Sequence, residues 1–134
     1  MKCLCASTRH AARLLTRRYE EALRPANFTP AQFELLGIMS ARPGLSQSEL
    51  AKALSLDQTT LSRNLAVLID RKWIKKSASK ADRRLAVYAV SEEGRTAWQQ
   101  ALPYWKQAQA HMQELLGDDW EKVWTAIDRV IGAA

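Results

Sequence analysis

LSQSELAKALSLDQTTLSRNLAVLIDRKWIKKSASKADRRLAVYAV, running from Leu45 to Val90, is the stretch on which the fold turns. Ser46 followed by Glu49 spells a capping box, so a helix starts there and carries Leu50, Ala51 and Leu54. Ser55 and Leu56 make a short turn. Asp57 caps a second helix, in which Leu61, Leu65, Leu68 and Ile69 recur at helical spacing as one buried stripe. After Arg71 and Lys72 the period changes from helical to alternating: Trp73, Ile74, Lys75 and Lys76 begin a strand, and Leu85 to Val90 form its partner. Between them lies SASKADRR, a polar, flexible and basic tip. Helix, turn, helix, strand, basic loop and returning strand make a winged helix-turn-helix.

The outward face of the second helix says what that architecture is for. At about 100° per residue, Thr59, Arg63, Ala66 and Asp70 point away from the stripe, with Thr60 and Ser62 on the flanks. A merely solvated face carries a dense mixture of Lys and Glu, whereas small hydroxyls and one Arg suit a major groove. Gln58, Thr59, Thr60, Ser62 and Arg63 are therefore the candidate major-groove residues, Arg63 foremost because its fork can engage guanine bidentately. Each has a blander reading: Gln58 as a first-turn residue, Thr60 as a hydroxyl bonded back to the backbone. A lone basic turn is ordinarily just surface. Directly after such a helix, it is placed to contact phosphates and the minor groove.

At this point the residues resemble the MarR family of bacterial transcriptional regulators, whose wing carries Asp-x-Arg and whose next helix opens on a Leu-Thr-x-x-Gly-like start. Asp82, Arg84 and Gly94 match that pattern, and Val90-Ser91 stands in place of Leu-Thr while keeping the cap. The resemblance extends over nearly the whole chain. It implies a homodimer bound to pseudo-palindromic double-stranded operator DNA, with Arg84 in the minor groove, Asp82 holding its guanidinium, and Arg83 and Lys80 on phosphates. It also implies a mainly α fold: residues 29–90 as the winged helix-turn-helix core, and residues 1–28 and 91–134 as N- and C-terminal dimerisation helices in a single domain.

Composition agrees with one domain of 134 residues, 47% of them hydrophobic, and a formal net charge of +6. The distribution says more than the total. Residues 1–45 carry +4, residues 46–90 carry +5, and residues 91–134 carry −3, so positive charge is concentrated on the candidate DNA reader and first helix. No stretch approaches a transmembrane helix and no secretory signal follows Met1-Lys2, so a cytoplasmic protein is expected.

Working outward, a first helix begins near Cys5 or Ser7 and runs to Arg24, stopped by Pro25. Leu4, Ala11, Leu15, Tyr19 and Ala22 share one side, and Arg9, Arg13 and Arg17 make a basic row that is simplest read as solvated. Thr29-Pro30-Ala31-Gln32 starts a scaffold helix carrying Phe33, Leu35, Leu36 and Met39 inward. Beyond the wing, Ser91 caps a long helix with Trp98, Leu102, Trp105, Met112 and Leu116 near heptad spacing, and Pro103 inside it predicts a bend around residues 99–103. Gly117 ends it, and Asp118 with Glu121 opens a last helix bearing Trp120, Val123, Trp124, Ile127 and Ile131. These terminal apolar faces exceed what so small a domain can cover, and a second copy is the simplest cover. Two-fold symmetry then sets two reading helices about 34 Å apart, one turn of B-DNA, and the operator is an inverted repeat.

The switch is read from Cys3, Cys5 and Tyr19. In a reducing compartment both cysteines are thiols; Cys5 lies near a helix N-terminus, where the dipole favours a thiolate, with Arg9 one turn on. The organic-hydroperoxide-sensing branch of the family carries a reactive Cys at the start of this helix and a Tyr fourteen residues later, and Cys5 and Tyr19 match that spacing. Arg9 occupies the place of that branch's second Tyr. Fourteen residues of helix span about 21 Å, so the pair meets only across a dimer. Cys3 is a candidate to resolve a sulfenic acid, although a bridge between residues two apart is strained. The plain alternative is two small apolar residues at a frayed end. A small aromatic effector between the dimer helices and the reading motif, lined by Tyr19, Trp98 and Trp105, is the other candidate switch. No metal site and no cofactor is expected, since two thiols with His10 are an incomplete set.

An enzyme is disfavoured: five glycines form no phosphate loop, and two His join no triad or paired carboxylates. The stronger rival is a winged-helix protein-interaction module without DNA binding, which would have no use for a basic wing beside a groove-compatible helix.

Overall fold

The computed structural model describes residues 2–134. Six helices, α1 (Leu4–Leu23), α2 (Pro30–Ala41), α3 (Gln47–Leu54), α4 (Gln58–Asp70), α5 (Glu92–Leu116) and α6 (Trp120–Gly132), surround three short strands, β1 (Leu45–Ser46), β2 (Ile74–Ala78) and β3 (Ala86–Val90). The winged helix-turn-helix is as the sequence spells it, and the fold is mainly α.

Four helices start where side chains can satisfy otherwise unpaired N–H groups. Reciprocal capping boxes close α2 through Thr29 and Gln32 and α3 through Ser46 and Glu49. Asp57 accepts from the Thr60 N–H at 2.8 Å, and Ser91 from the Gly94 N–H at 3.0 Å. The start of α6 differs from expectation: Asp118 lies in a 3₁₀ turn over Gly117–Asp119, α6 begins at Trp120, and the Asp119 carboxylate takes Lys122 instead of capping. Helix α1 begins one residue ahead of Cys5, at Leu4. Its far end passes through a 3₁₀ turn over Arg24–Ala26 that accommodates Pro25. Helix α5 is continuous across Pro103.

Three chain reversals use left-handed backbone without glycine, at Asn27, Ser55 and Lys72. After α3 and α4 the same paired bonds close the helix end: Leu56 N–H to Ala51 O with Ser55 N–H to Lys52 O, and Trp73 N–H to Leu68 O with Lys72 N–H to Ile69 O. This is how α4 turns at once into β2.

The sheet is antiparallel in the order β1-β3-β2, with Leu45 opposite Tyr88 and Ile74 opposite Val90. The two-residue β1 is too short to show any alternation in sequence, and pairing with β3 alone defines it. One core joins Leu23, Phe28, Phe33, Leu35, Leu36 and Met39 to Leu50, Leu61, Leu65, Leu68, Ile74 and Tyr88. The predicted stripe of α4 holds at its three leucines, but Ile69 is 40% exposed, because the stripe faces α2 and α3 and Ile69 falls at its rim.

The first half of α5 belongs to this same core. Ala101 is fully buried; Trp98 and Trp105 stack on Phe33 at centroid separations of 5.1 and 5.9 Å, and the Trp98 indole N–H donates to Phe33 O. The heptad-like spacing of α5 is therefore not one continuous seam for another chain. Its N-terminus is clamped to the base of the wing: Ser91 N–H donates to Trp73 O at 2.9 Å, and Ser91 Oγ donates to Lys72 O at 2.6 Å. Gly94 packs so closely there that a Cβ would lie 2.0 Å from Trp73 O, the physical reason for glycine at this position. By contrast α6 buries no residue, and Trp124, Ile127, Val130 and Ile131 face outward.

Candidate nucleic-acid interface

The candidate interface comprises α4 and the β2–β3 wing. Along α4, Gln58, Thr59, Ser62 and Arg63 are exposed and Thr60 is half-buried. The hydroxyls are not equivalent. Thr60 Oγ1 donates to Asp57 Oδ2 at 2.9 Å, so it completes the helix cap; together its backbone and side-chain bonds hold the Asp57 carboxyl below the usual range. Ser62 Oγ accepts from Gln47 Nε2 at 2.7 Å. The side chains of Thr59 and Arg63 enter no hydrogen bond or ion pair among the described residues, so both are available to an external partner.

In the wing, Arg84 forms a two-pronged contact with Asp82, Nε to Oδ1 at 3.1 Å and Nη2 to Oδ2 at 3.2 Å, while its backbone N–H also donates to Oδ1. The Arg84 side-chain bonds, then its backbone bond, lower the Asp82 carboxyl below its ordinary value. The Arg84 side chain remains 90% exposed, so this pair contributes little to stability; what it does is restrict the direction of the guanidinium. The tip is less free than its composition suggests. Ser79 Oγ accepts from the Ala81 and Asp82 N–H groups, and Leu85 N–H donates to Asp82 O at 3.0 Å, closing the turn on itself. Lys80 and Arg83 stand exposed on it.

Gln47 is the residue that sequence reading missed. It opens α3 and touches Ser62 on α4 and Tyr88 on β3, contacts that span 15 and 41 residues of chain and leave no local signal.

The candidate switch residues lie elsewhere. Cys3 precedes α1 without capping it and Cys5 sits in its first turn; both are exposed. Tyr19 is half-buried, its hydroxyl donates to Gln109 Oε1 on α5, and burial raises its pKa. It lines an open groove of about 320 Å³ between α1 and α5 with Arg18, Glu21, Gln107, His111 and Met112. Trp98 and Trp105 do not line that groove, because stacking on Phe33 commits them to the core. Among the described residues no group of three or more His, Cys, Asp or Glu could hold a metal, and no helix is long and apolar enough to cross a membrane.

Comparisons with known proteins bear on this arrangement. The MarR family profile matches residues 26–85. The M. tuberculosis transcriptional regulator MosR, solved in complex with DNA, is similar at 36% identity over 98% of this chain and 96% of that one, with a TM-score of 0.88. A second MosR structure matches at 34% identity over 98% and 95%, with a TM-score of 0.87. The transcriptional repressor CouR, bound to a 23-mer DNA duplex, is similar at 24% identity over 97% and 92%, with a TM-score of 0.85, a likeness of fold. No curated protein matches.

Proposed function

Because this chain belongs to the MarR family of transcriptional regulators, we propose that it is a homodimeric repressor that binds pseudo-palindromic operator DNA through α4 and the wing. The observation that carries the reading is the pairing of an α4 face with unengaged Thr59 and Arg63 to a closed, basic wing whose Arg84 is aimed by Asp82. MosR, solved with DNA and 36% identical, supports it.

Residues 29–90 are the DNA-binding core, and residues 1–28 and 91–134 supply the dimerisation helices. Gln58, Thr59, Ser62 and Arg63 face the major groove, with Thr60 at the helix start. Arg84 enters the minor groove, oriented by Asp82. Lys80 and Arg83 contact phosphates, which hold register without reading sequence. Burial of the outward apolar face of α6 against a second copy completes the protomer. Release from DNA follows a change at the α1 end: oxidation at Cys5, with Cys3 and Tyr19 in support, or a small-molecule effector. The exposure of both thiols supports the first of these.

Selection of duplexes from a random pool tests the reading. The wild type enriches an inverted repeat. Arg63→Ala relaxes preference by about 1–3 kcal/mol at one position per half-site, whereas Lys80→Ala weakens all sequences alike and flattens the salt dependence. Equal losses by both variants on specific and random duplex would overturn this division of roles. Repeating the selection with organic hydroperoxide tests the switch: wild-type binding is lost and Cys5→Ser binding persists, and an oxidant-indifferent wild type rules out the thiol.

A further inference from the structure

We infer that Gln47 is a positioning residue for DNA recognition: through a relay from Tyr88 it fills one lone pair of the Ser62 hydroxyl and biases its proton outward, toward a hydrogen-bond acceptor on the DNA. The inference rests on the DNA-binding reading above and adds to it the chemistry of one contact.

The relay begins in the sheet. Tyr88 is 4% exposed on the central strand β3, and its backbone is fixed from both sides, opposite Leu45 of β1 and Lys76 of β2. Its carbonyl also accepts the Gly44 N–H at 3.2 Å. A phenol held in this way has one proton to place, and it donates to Gln47 Oε1 at 3.4 Å. The two ends of an amide differ: once the oxygen end faces the phenol, the nitrogen end faces α4. Gln47 Nε2 accordingly donates to Ser62 Oγ at 2.7 Å. The serine oxygen is now an acceptor toward the protein, and among the described residues no protein group takes its own proton. Ser62 is exposed, so that proton is free to point outward.

The chemical consequence is directional. An uncommitted serine can donate or accept and tolerates any base edge. Ser62, with one of its two lone pairs occupied and its proton unclaimed, is biased toward acceptors: purine N7, guanine O6, thymine O4 or a phosphate oxygen, over the cytosine N4 donor. The relay also bolts α3 to α4 across their turn and both to the wing sheet, so that reading helix and wing share one registration.

The test uses the full chain and the duplex selected by the wild type. Acceptors are removed singly, with 7-deazapurines, 2-aminopurine for guanine and 5-methyl-2-pyrimidinone for thymine in one arm and methylphosphonates in the other, to separate base edge from phosphate. One acceptor per half-site is expected whose removal weakens the wild type about 3- to 10-fold, and to which Ser62→Ala is indifferent. Gln47→Leu loses sensitivity at that same position and keeps it elsewhere, and the double variant is no worse than either single one. Tyr88→Phe, which removes only the phenol oxygen, shows a smaller loss at the same place. A merely structural role for Gln47 would lower all positions together. Wild-type sensitivity retained by Gln47→Leu at the Ser62-dependent position overturns the inference while leaving DNA binding intact. If the wild type enriches no duplex at all, the DNA-binding reading fails and the relay's role falls with it.

Discussion

The segment from α2 to β3 and the segment from α5 to the C-terminus are built to different degrees of completion. In the first, Leu35, Leu36, Leu50, Leu61, Leu65 and Leu68 are all essentially inaccessible to solvent, and helix starts, turns and wing tip have their polar groups matched by neighbours. In the second, only the early turns of α5 share that core. Helix α6 has a strongly apolar side and fully buries no residue of it: Val130 and Ile131 are 63% and 66% exposed. One region is closed by its own chain and the other is left open. That difference is what a regulator needs if the reading surface must be rigid while its placement on DNA is set by another copy.

The joint between the two regions is the most sensitive place to break. Gly94→Ala forces a methyl into the Trp73 carbonyl, where backbone on both sides prevents relief. A loss of about 3 kcal/mol or more in unfolding free energy is expected, read by urea denaturation at fixed protein concentration, with the wing base displaced from α5. Unchanged stability would mean that the two regions are not rigidly joined at this point.

A charge on the open region should act on assembly and leave the closed one alone. Ile131→Asp removes apolar surface from the α6 face of each protomer, a cost of about 3 kcal/mol per dimer and hence about a hundredfold weaker association. Sedimentation equilibrium reads the dissociation, and the intrinsic fluorescence of the Phe33-stacked tryptophans should stay as in the wild type. Undiminished dimerisation would place the interface off α6.

The smallest effect lies within the closed region. Arg84 lowers the folded Asp82 carboxyl below its unfolded value, so the pair is fully present above the ordinary carboxylate pKa of about 3.9 and is lost as pH falls through the lower folded value. An NMR titration should show a depressed Asp82 midpoint in the wild type that rises part of the way toward the ordinary range in Arg84→Ala, which loses the guanidinium bonds and keeps the backbone N–H bond. Thermal stability should barely change between them, because the pair is exposed. An ordinary midpoint in the wild type would mean that the wing arginine is not held.

The sequence by itself determined most features that close within one or two helical turns, the start of α6 and the course of α5 past Pro103 excepted. Caps at Thr29, Ser46, Asp57 and Ser91, the leucine stripe of α4 and the change of period after Lys72 are interactions between residues three or four apart, or repeats of short spacings, so their residue types announce them, while the Asp82–Arg84 pair is implied by the resemblance of the wing to the family's Asp-x-Arg. Only the tertiary structure decided which side of the α5 pattern is core, because Trp98 meets Phe33 across 65 residues of chain. The same holds for β1, which exists only as a partner of β3, and for Ile69 at the rim of its stripe. Gln47 is the clearest case: nothing local distinguishes a glutamine at a helix start, and its contacts to Ser62 and Tyr88 depend on how α3 packs between α4 and the sheet. Hydrogen bonding within a turn is fixed by covalent proximity, whereas contact across the fold is selected by packing that no short window of sequence contains.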